Sequence, residues 1–306
     1  MKVVLSGGTG VIGSAAVPAL VNAGHRVVAL SRNPENVKVL SELGALPLPG
    51  DLFDVDSLTD LYKGADAVIN LATHVPVGYA GALPGSWREH DRLRTTGVAN
   101  VVEAARRAGV RRVVQESVSF VYADHGDDWI TEQDPIEITP STEPSCVGES
   151  HVQDYACDSR VGVVLRFGSI LGDDPLTRFW LRAASHGRPV GIGRPESWAH
   201  LVHTDDLGSA VVAALHAPSG VYNVGSEPVL RKDLVAGFAE AAGAGGQGSF
   251  MGPMMRRLSG QRIEPLTRSL RISSDHFEAQ TGWRPSRPEF DSEWFDVTVA
   301  VDHAVH

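Results

Sequence analysis

A glycine-rich turn near the start of the chain has the spacing of a dinucleotide-binding loop. Gly7, Gly10 and Gly13 follow the apolar run Val3–Leu5 and precede small and apolar residues at helical spacing. Glycines here let the chain turn tightly and let a pyrophosphate approach backbone amides at a helix N-terminus. Placed between a predicted strand and a predicted helix, this motif is a strong signal. The sequence therefore predicts a bound dinucleotide.

The residues after the second predicted strand favour one dinucleotide over the other. An acidic residue there would bind the ribose 2′-hydroxyl of NAD. This chain has Ser31, Arg32 and Asn33 instead, and its first acidic residue after the strand is Glu35. A guanidinium group suits the 2′-phosphate of NADP. We therefore expect NADP(H), although a solvated arginine at a strand end would look the same.

Short apolar runs alternate with helical patterns along most of the chain. Strands are predicted at 2–5, 26–30, 45–48, 67–71, 112–115, 161–166 and 220–224. Helices are predicted at 11–23, 34–43, 55–62, 87–108, 147–155, 204–217 and 230–242. This alternation indicates βαβ units and a parallel sheet. The polar stretch 123–145 is expected to be a surface loop, and the glycine-rich stretch 243–252 a linker or lid.

The composition of the chain disfavours several classes of protein and of binding partner. The chain has 306 residues, 42% of them hydrophobic, and a net charge of −10. That charge disfavours nucleic-acid binding, because it repels phosphate backbones. We expect no membrane association, since no apolar run approaches the ~18 residues of a spanning helix. Two cysteines are too few for a disulfide framework, which favours a cytoplasmic setting. The oligomeric state is left open.

Several further motifs resemble the extended short-chain dehydrogenase/reductase superfamily, whose members include NAD(P)-dependent epimerases and dehydratases. They are Gly7–Gly13, Asp51–Leu52, Asn70–Ala72, Ser117–Tyr122, Leu165–Gly168, His203–Asp206, Tyr222–Gly225 and Thr281–Pro285. The resemblance implies an α/β fold: a doubly wound Rossmann sheet of about seven strands with a smaller C-terminal α/β substrate domain. It places the Rossmann domain at 1–168, with a returning segment near 201–224. It places the substrate domain at 169–200 and 225–306.

The chain departs from this superfamily where its chemistry usually lies. Members use a Tyr with a Lys four residues later, and a Ser that polarises the substrate oxygen. No tyrosine here has that lysine, and no lysine occurs between positions 64 and 231. Ser141 and Ser145 stand roughly where the Tyr and Lys are expected. Val118 takes the usual serine position, between Ser117 and Ser119.

Three functions remain open. The first is an NADPH-dependent reductase acting on a ketone or quinone of a hydrophobic aromatic substrate. The chain is similar to atypical ketoreductases of polycyclic aromatic polyketides, such as angucyclinones of the simocyclinone type, and a phenol hydroxyl beside the ketone could polarise it internally. The second is a non-catalytic NADPH-binding sensor or scaffold. The third is a nucleotide-sugar epimerase or dehydratase, which is disfavoured because that chemistry needs the absent tyrosine.

The site residues follow from the motifs and the resemblance. Candidate proton donors are Ser117, Ser119, Tyr122 and His74. Cofactor-binding candidates are Gly7, Thr9, Gly10, Val11, Ile12, Gly13, Ser31, Arg32, Asn33, Asp51, Leu52, Leu71, Ala72, Thr73, Ser117 and Phe167. Substrate-binding candidates are His74, Ser119, Phe120, Phe179, Trp180, Met251 and Met254. No metal site is expected, because His200-x-x-His203 fits a structural pattern that leads into a helix.

Overall fold

Seven strands form one parallel sheet in the computed structural model, which describes residues 1–83, 85–244, 248–252 and 261–296. The strands are β1 (Lys2–Ser6), β2 (Arg26–Ser31), β3 (Leu46–Pro49), β4 (Ala67–Asn70), β5 (Arg112–Val118), β7 (Val161–Phe167) and β11 (Gly220–Val224). Their order is β11-β7-β5-β4-β1-β2-β3. The order reverses between β1 and β4, where doubly wound sheets bind their ligands. The predicted Rossmann fold is confirmed.

Helices connect these strands. They are α1 (Val11–Asn22), α2 (Pro34–Glu42), α3 (Val55–Tyr62), α4 (Arg88–Arg92), α5 (Val98–Arg107), α6 (Glu143–Tyr155), α7 (Pro175–Ser185), α8 (Thr204–Ala214), α9 (Arg231–Ala241) and α10 (Asp275–Thr281). Among the described residues, no helix has the length and apolar character needed to cross a membrane.

Alternate residues of each strand supply two separate cores. Val3 and Leu5 of β1 pack with α1 and α8 on one face of the sheet. Val4 packs with α3 and α5 on the other face. Burial of both faces explains why the strands are continuous apolar runs rather than alternating ones. The sheet is therefore covered on both sides, and its strand ends remain as the place for a ligand.

Three small two-stranded pairings accompany the main sheet. They join β8 (Ser169–Leu171) to β10 (Leu201–His203), β9 (Trp198–Ala199) to β12 (Val229–Leu230), and β6 (Trp129–Ile130) to β13 (Arg271–Ile272). A third core cluster lies here, in which residues of α7 and α9 pack against Trp294 and Phe295. The boundaries given above for the Rossmann domain and the substrate domain stay a prediction.

Several element boundaries differ from the sequence expectation. Helix α6 begins at Glu143 rather than near Val147, with Pro144 in its first turn, where proline fits a helix. Helix α8 is capped by the His203 side chain, which accepts from the Asp205 amide, and it ends at Ala214 rather than at 217. The predicted long helix is interrupted by a π-helical turn, Leu93–Gly97, between α4 and α5. Such turns occur often at functional sites.

Candidate active site

The glycine loop after β1 is shaped by close backbone approach. Gly7 has a φ of +79°, and a Cβ there would lie 2.5 Å from the carbonyl carbon of Leu71, at the end of β4. A Cβ on Gly13 would lie 2.1 Å from the Gly7 carbonyl oxygen. Gly10 is different, because a Cβ there meets the protein only at 3.4 Å. Gly7 and Gly13 are therefore required by the fold, whereas Gly10 keeps space open on the exposed side of the loop.

The N-terminus of α1 can hold a phosphate. Thr9 and Gly10 are exposed at this end, and among the described side chains none caps the first turn. The amides of Val11 and Ile12 belong to that turn, whose N–H groups lack partners within the helix. Uncapped amides at a helix N-terminus attract anions. The loop thus fits the pyrophosphate of a dinucleotide.

The ends of β2 and β3 lie beside this loop. Ser31 Oγ donates to the Asn33 carbonyl at 2.9 Å, and Asn33 Oδ1 caps α2 by accepting from the Asn36 amide. Arg32 is exposed and its Nη1 lies 3.4 Å from Glu89 Oε1. Asp51 Oδ1 accepts from the Phe53 amide at 3.0 Å. The Arg32 guanidinium is accessible to a ligand, as an NADP site needs.

Buried side-chain amides connect the ends of β1 and β4 to the middle of β5. Asn70 accepts from Ser6 Oγ at 2.5 Å and donates to Gln115 Oε1 at 2.8 Å. Beyond Asn70 the chain becomes progressively exposed: Leu71 is buried and Ala72 half-buried, whereas Thr73 and His74 are exposed. This segment therefore starts fixed to the sheet and presents its last residues toward solvent.

Ser117 at the end of β5 belongs to a buried ionic cluster. Its Oγ donates to Glu149 Oε1 at 2.5 Å, and Arg166 Nη2 donates to Glu149 Oε2 at 2.6 Å. All three residues are buried. Although burial opposes it, the Glu149 carboxylate raises the pKa of Arg166, so the guanidinium stays charged. The Ser117 hydroxyl donates its proton to Glu149 and is therefore not directed at a substrate.

Tyr122 is also tied into this cluster. Its ring lies under the Arg166 guanidinium, 4.8 Å from ring centroid to the central carbon, and its hydroxyl donates to Asn223 Oδ1 at 2.8 Å. Burial raises the pKa of Tyr122 to about 12. Ser119 is buried and Phe120 half-buried beside it. The geometry favours a structural role for Tyr122 and disfavours it as a proton donor.

Small hydroxyls stand roughly where the missing Tyr–Lys pair is expected. Ser141 precedes α6, where its Oγ lies 2.9 Å from Thr139 Oγ1, and Ser145 is buried in the first turns of that helix. Neither side chain can supply the positive charge that the lysine provides. The buried ionic group on α6 is Glu149, which pairs with Arg166.

A second buried ionic cluster was not foreseen. Arg94, in the π-helical turn, donates to Glu116 Oε1 at 2.5 Å and to His90 Nε2 at 3.0 Å. Burial raises the pKa of Glu116. Burial, followed by the charge of Arg94, lowers the pKa of His90 to about 3, so this ring is neutral. The sequence feature that could have predicted this cluster is Glu116, a charged residue inside the apolar strand β5, because such a residue requires a buried partner.

Comparison with known proteins supports the reading of the glycine loop. Residues 7–140 match the NAD(P)H-binding family. A 3-diazoavenalumate denitrifying reductase from Streptomyces is 28% identical over 308 residues, covering 95% of this chain and 98% of that protein. A 4-hydroxy-2-methyl-3-oxo-4-farnesyl-3,4-dihydroquinoline-1-oxide ketoreductase from Stigmatella aurantiaca is 32% identical over 124 residues, covering 40% of this chain and 35% of that protein.

A solved structure shares the fold across the whole chain. The UDP-glucose 4-epimerase of Thermotoga maritima, determined with UDP-glucose, matches with a TM-score of 0.79 at 19% identity, covering 100% of this chain and 99% of that one. At this identity the likeness shows the fold, and the NAD(P)H-binding match covers residues 7–140.

The NAD(P)H-binding region faces an aromatic pair from α7. Phe179 and Trp180 are half-buried, with ring centroids 5.0 Å apart. Gly78, on the segment that follows β4, packs so tightly on Phe179 that a Cβ there would lie 2.7 Å from the ring. Phe179 therefore lies against the segment that carries His74, whereas Trp180 packs on the core cluster that contains Trp294.

The remaining predicted residues are placed as follows. Leu52 and Phe167 are buried. Met251 is half-buried, and its amide donates to the Gly191 carbonyl. Met254 lies outside the described residues. His200 is buried against Gly225, and His203 contacts Trp294. Among the described residues, no group of three or more His, Cys, Asp or Glu side chains could hold a metal.

Proposed function

We propose that this protein is an NADPH-dependent reductase acting on a ketone or quinone of a hydrophobic, polycyclic aromatic substrate. Gly10 and the start of α1 would hold the pyrophosphate, and Arg32 the 2′-phosphate. The ends of β4 and β5 would flank the nicotinamide ribose. Bound NADPH supplies hydride. Phe179 and Trp180 offer an apolar wall for an aromatic substrate.

The observation that carries this proposal is the loss of a protein acid where the superfamily places one. No tyrosine of this chain has a lysine four residues later, Ser141 and Ser145 stand roughly where that pair is expected, and Ser117 donates its proton to Glu149. Reduction of a ketone consumes a proton as well as a hydride. A substrate with a phenol hydroxyl beside its ketone polarises that carbonyl through an internal hydrogen bond. A quinone is reduced easily enough to need little help.

A diazo group is a second candidate for the electrophile. It is favoured by the similarity, over 95% of this chain, to the 3-diazoavenalumate denitrifying reductase. An aryldiazonium that takes up hydride and releases N₂ ends as the unsubstituted arene, and this balance needs no proton donor. A diazonium substrate therefore fits a site that lacks the tyrosine of the superfamily as well as the ketone does.

The epimerase function has less support than the reductase function. The likeness to a sugar epimerase concerns the fold, at 19% identity. Epimerisation needs a base that removes and returns a hydroxyl proton, and the tyrosine that does so in the superfamily is absent here.

The test is consumption of NADPH against a panel of polycyclic aromatic ketones, quinones and aryldiazonium compounds. We expect reduction of at least one class. Tight NADPH binding without turnover of any compound would favour a sensor or scaffold. Arg32→Asp should remove the preference for NADPH over NADH, and an unchanged ratio of dissociation constants would contradict the NADP assignment.

A further inference from the structure

A carboxylate from another element faces Arg32 at the end of β2. Glu89 lies on α4, and its Oε1 is 3.4 Å from Arg32 Nη1. Both side chains remain accessible, 62% exposed for Arg32 and 37% for Glu89. The strand end itself carries no acidic residue before Glu35. Glu89 therefore brings to this position the carboxylate that the local sequence lacks.

Helix α4 covers the end of β3 as well. Arg92, three residues after Glu89 and on the same side of the helix, stacks on the Phe53 ring with its guanidinium carbon 3.5 Å from the centroid. Phe53 directly follows Asp51 and Leu52, the residues expected near the adenine. One turn of α4 thus reaches both strand ends that frame the adenosine half of the dinucleotide.

NADH and NADPH differ at the ribose 2′-position, so that one favours contact with Glu89 and the other contact with Arg32. The 2′-hydroxyl of NADH is a donor, and a carboxylate is the acceptor that dinucleotide folds use for it. The 2′-phosphate of NADPH attracts the guanidinium and is repelled by the carboxylate. An exposed ion pair contributes at most about 1 kcal/mol, so either side chain can leave the other at little cost.

We propose that Glu89 is a cofactor-specificity residue that binds the 2′-hydroxyl of NADH and opposes the 2′-phosphate of NADPH. The protein then binds both dinucleotides, with a preference for NADPH smaller than Arg32 alone would give. This rests on the proposed NAD(P)H-dependent function and adds a second element, α4, to the recognition of the ribose.

The experiment measures dissociation constants of NADPH and NADH by quenching of protein fluorescence, without any substrate. Glu89→Gln should bind NADPH more tightly and NADH more weakly, shifting their ratio about tenfold, the size expected for one charged hydrogen bond. Arg32→Gln should weaken NADPH about tenfold and leave NADH nearly unchanged. Glu103→Gln removes the same charge from α5, where Glu103 pairs with Arg107, and should leave the ratio unchanged.

Two results would overturn the proposal in distinguishable ways. If wild type binds either dinucleotide and Glu89→Gln leaves the ratio within twofold of wild type, as Glu103→Gln does, the inference about Glu89 is wrong and the proposed function stands. If wild type binds neither dinucleotide, both are wrong. Thermal unfolding of each variant confirms that the compared proteins are folded.

Discussion

Ser117 Oγ donates to Glu149 Oε1 at 2.5 Å, and Arg166 holds the other carboxylate oxygen. This cluster lies at the end of β5, where the superfamily keeps its chemistry, yet each of its polar groups is directed at another. The charges are buried and mutually neutralised. The cluster therefore offers no free proton donor at this strand end, which is why we propose that the substrate activates its own electrophile.

Removing the charge of Glu149 should destabilise the fold. In Glu149→Gln the buried Arg166 guanidinium loses its counter-charge, and breaking a buried pair costs about 3–5 kcal/mol. Urea denaturation measures the free energy of unfolding. Glu143→Gln, at an exposed position in the first turn of the same helix, should cost under about 1 kcal/mol. Equal losses in the two variants would contradict the buried-pair account.

Removing the candidate hydroxyls one at a time should leave most of the activity. Loss of a true general acid costs about 100- to 10,000-fold in rate. We expect Ser117→Ala, Ser119→Ala and Tyr122→Phe each to retain kcat within about tenfold of wild type, because the substrate supplies its own activation. Steady-state kinetics on the best substrate decides this. A fall of three orders of magnitude in one of these variants would identify a protein acid.

Alanine substitutions in the glycine loop after β1 should affect NADPH binding and thermal stability separately. Gly10→Ala adds a Cβ that the protein tolerates at 3.4 Å, on the side where the pyrophosphate would approach. We expect NADPH binding to weaken at least about tenfold with little change in Tm. Gly13→Ala places its Cβ 2.1 Å from the Gly7 oxygen and should lower Tm as well. Gly252→Ala, in open space, is the control. Unimpaired NADPH binding by Gly10→Ala would contradict the proposed cradle.

Stability should fall as the solution is acidified below pH 6.5. Burial lowers the pKa of His200 to about 3, against about 6.5 in the unfolded chain. The unfolded chain binds this proton first, so the stabilisation is complete above pH 6.5 and is lost as the pH falls toward 3. His200→Gln should flatten the dependence of unfolding free energy on pH by up to about 1.4 kcal/mol per pH unit in that window. His186→Gln, at an exposed position, is the control. An unchanged slope in His200→Gln would contradict the assignment.

The sequence was informative wherever local pattern and chain order decide structure. Apolar runs buried on both faces located all seven strands of the sheet, and glycine spacing located the loop after β1. Small pairings such as β6 with β13 could not be foreseen. This pairing joins two residues to two others far along the chain, and so short a strand has no period of its own.

The buried ionic groups of the site could also be predicted only in part from the sequence. Glu116 and Arg166 each stand inside an apolar strand, which indicates that partners exist. Their partners Arg94 and Glu149 lie on helices 22 and 17 residues away in sequence, and only the packing of those helices on the sheet brings them together. The absence of a Tyr–Lys pair, by contrast, follows from the sequence alone.

The most direct test of the central claim uses NADPH carrying deuterium at its transferable position. Each polycyclic aromatic ketone is paired with an analogue that lacks the adjacent phenol hydroxyl. We predict stereospecific deuterium transfer to the hydroxylated ketone and little or none to its partner. Equal transfer to both members of each pair would contradict substrate activation and show that the protein supplies the acid.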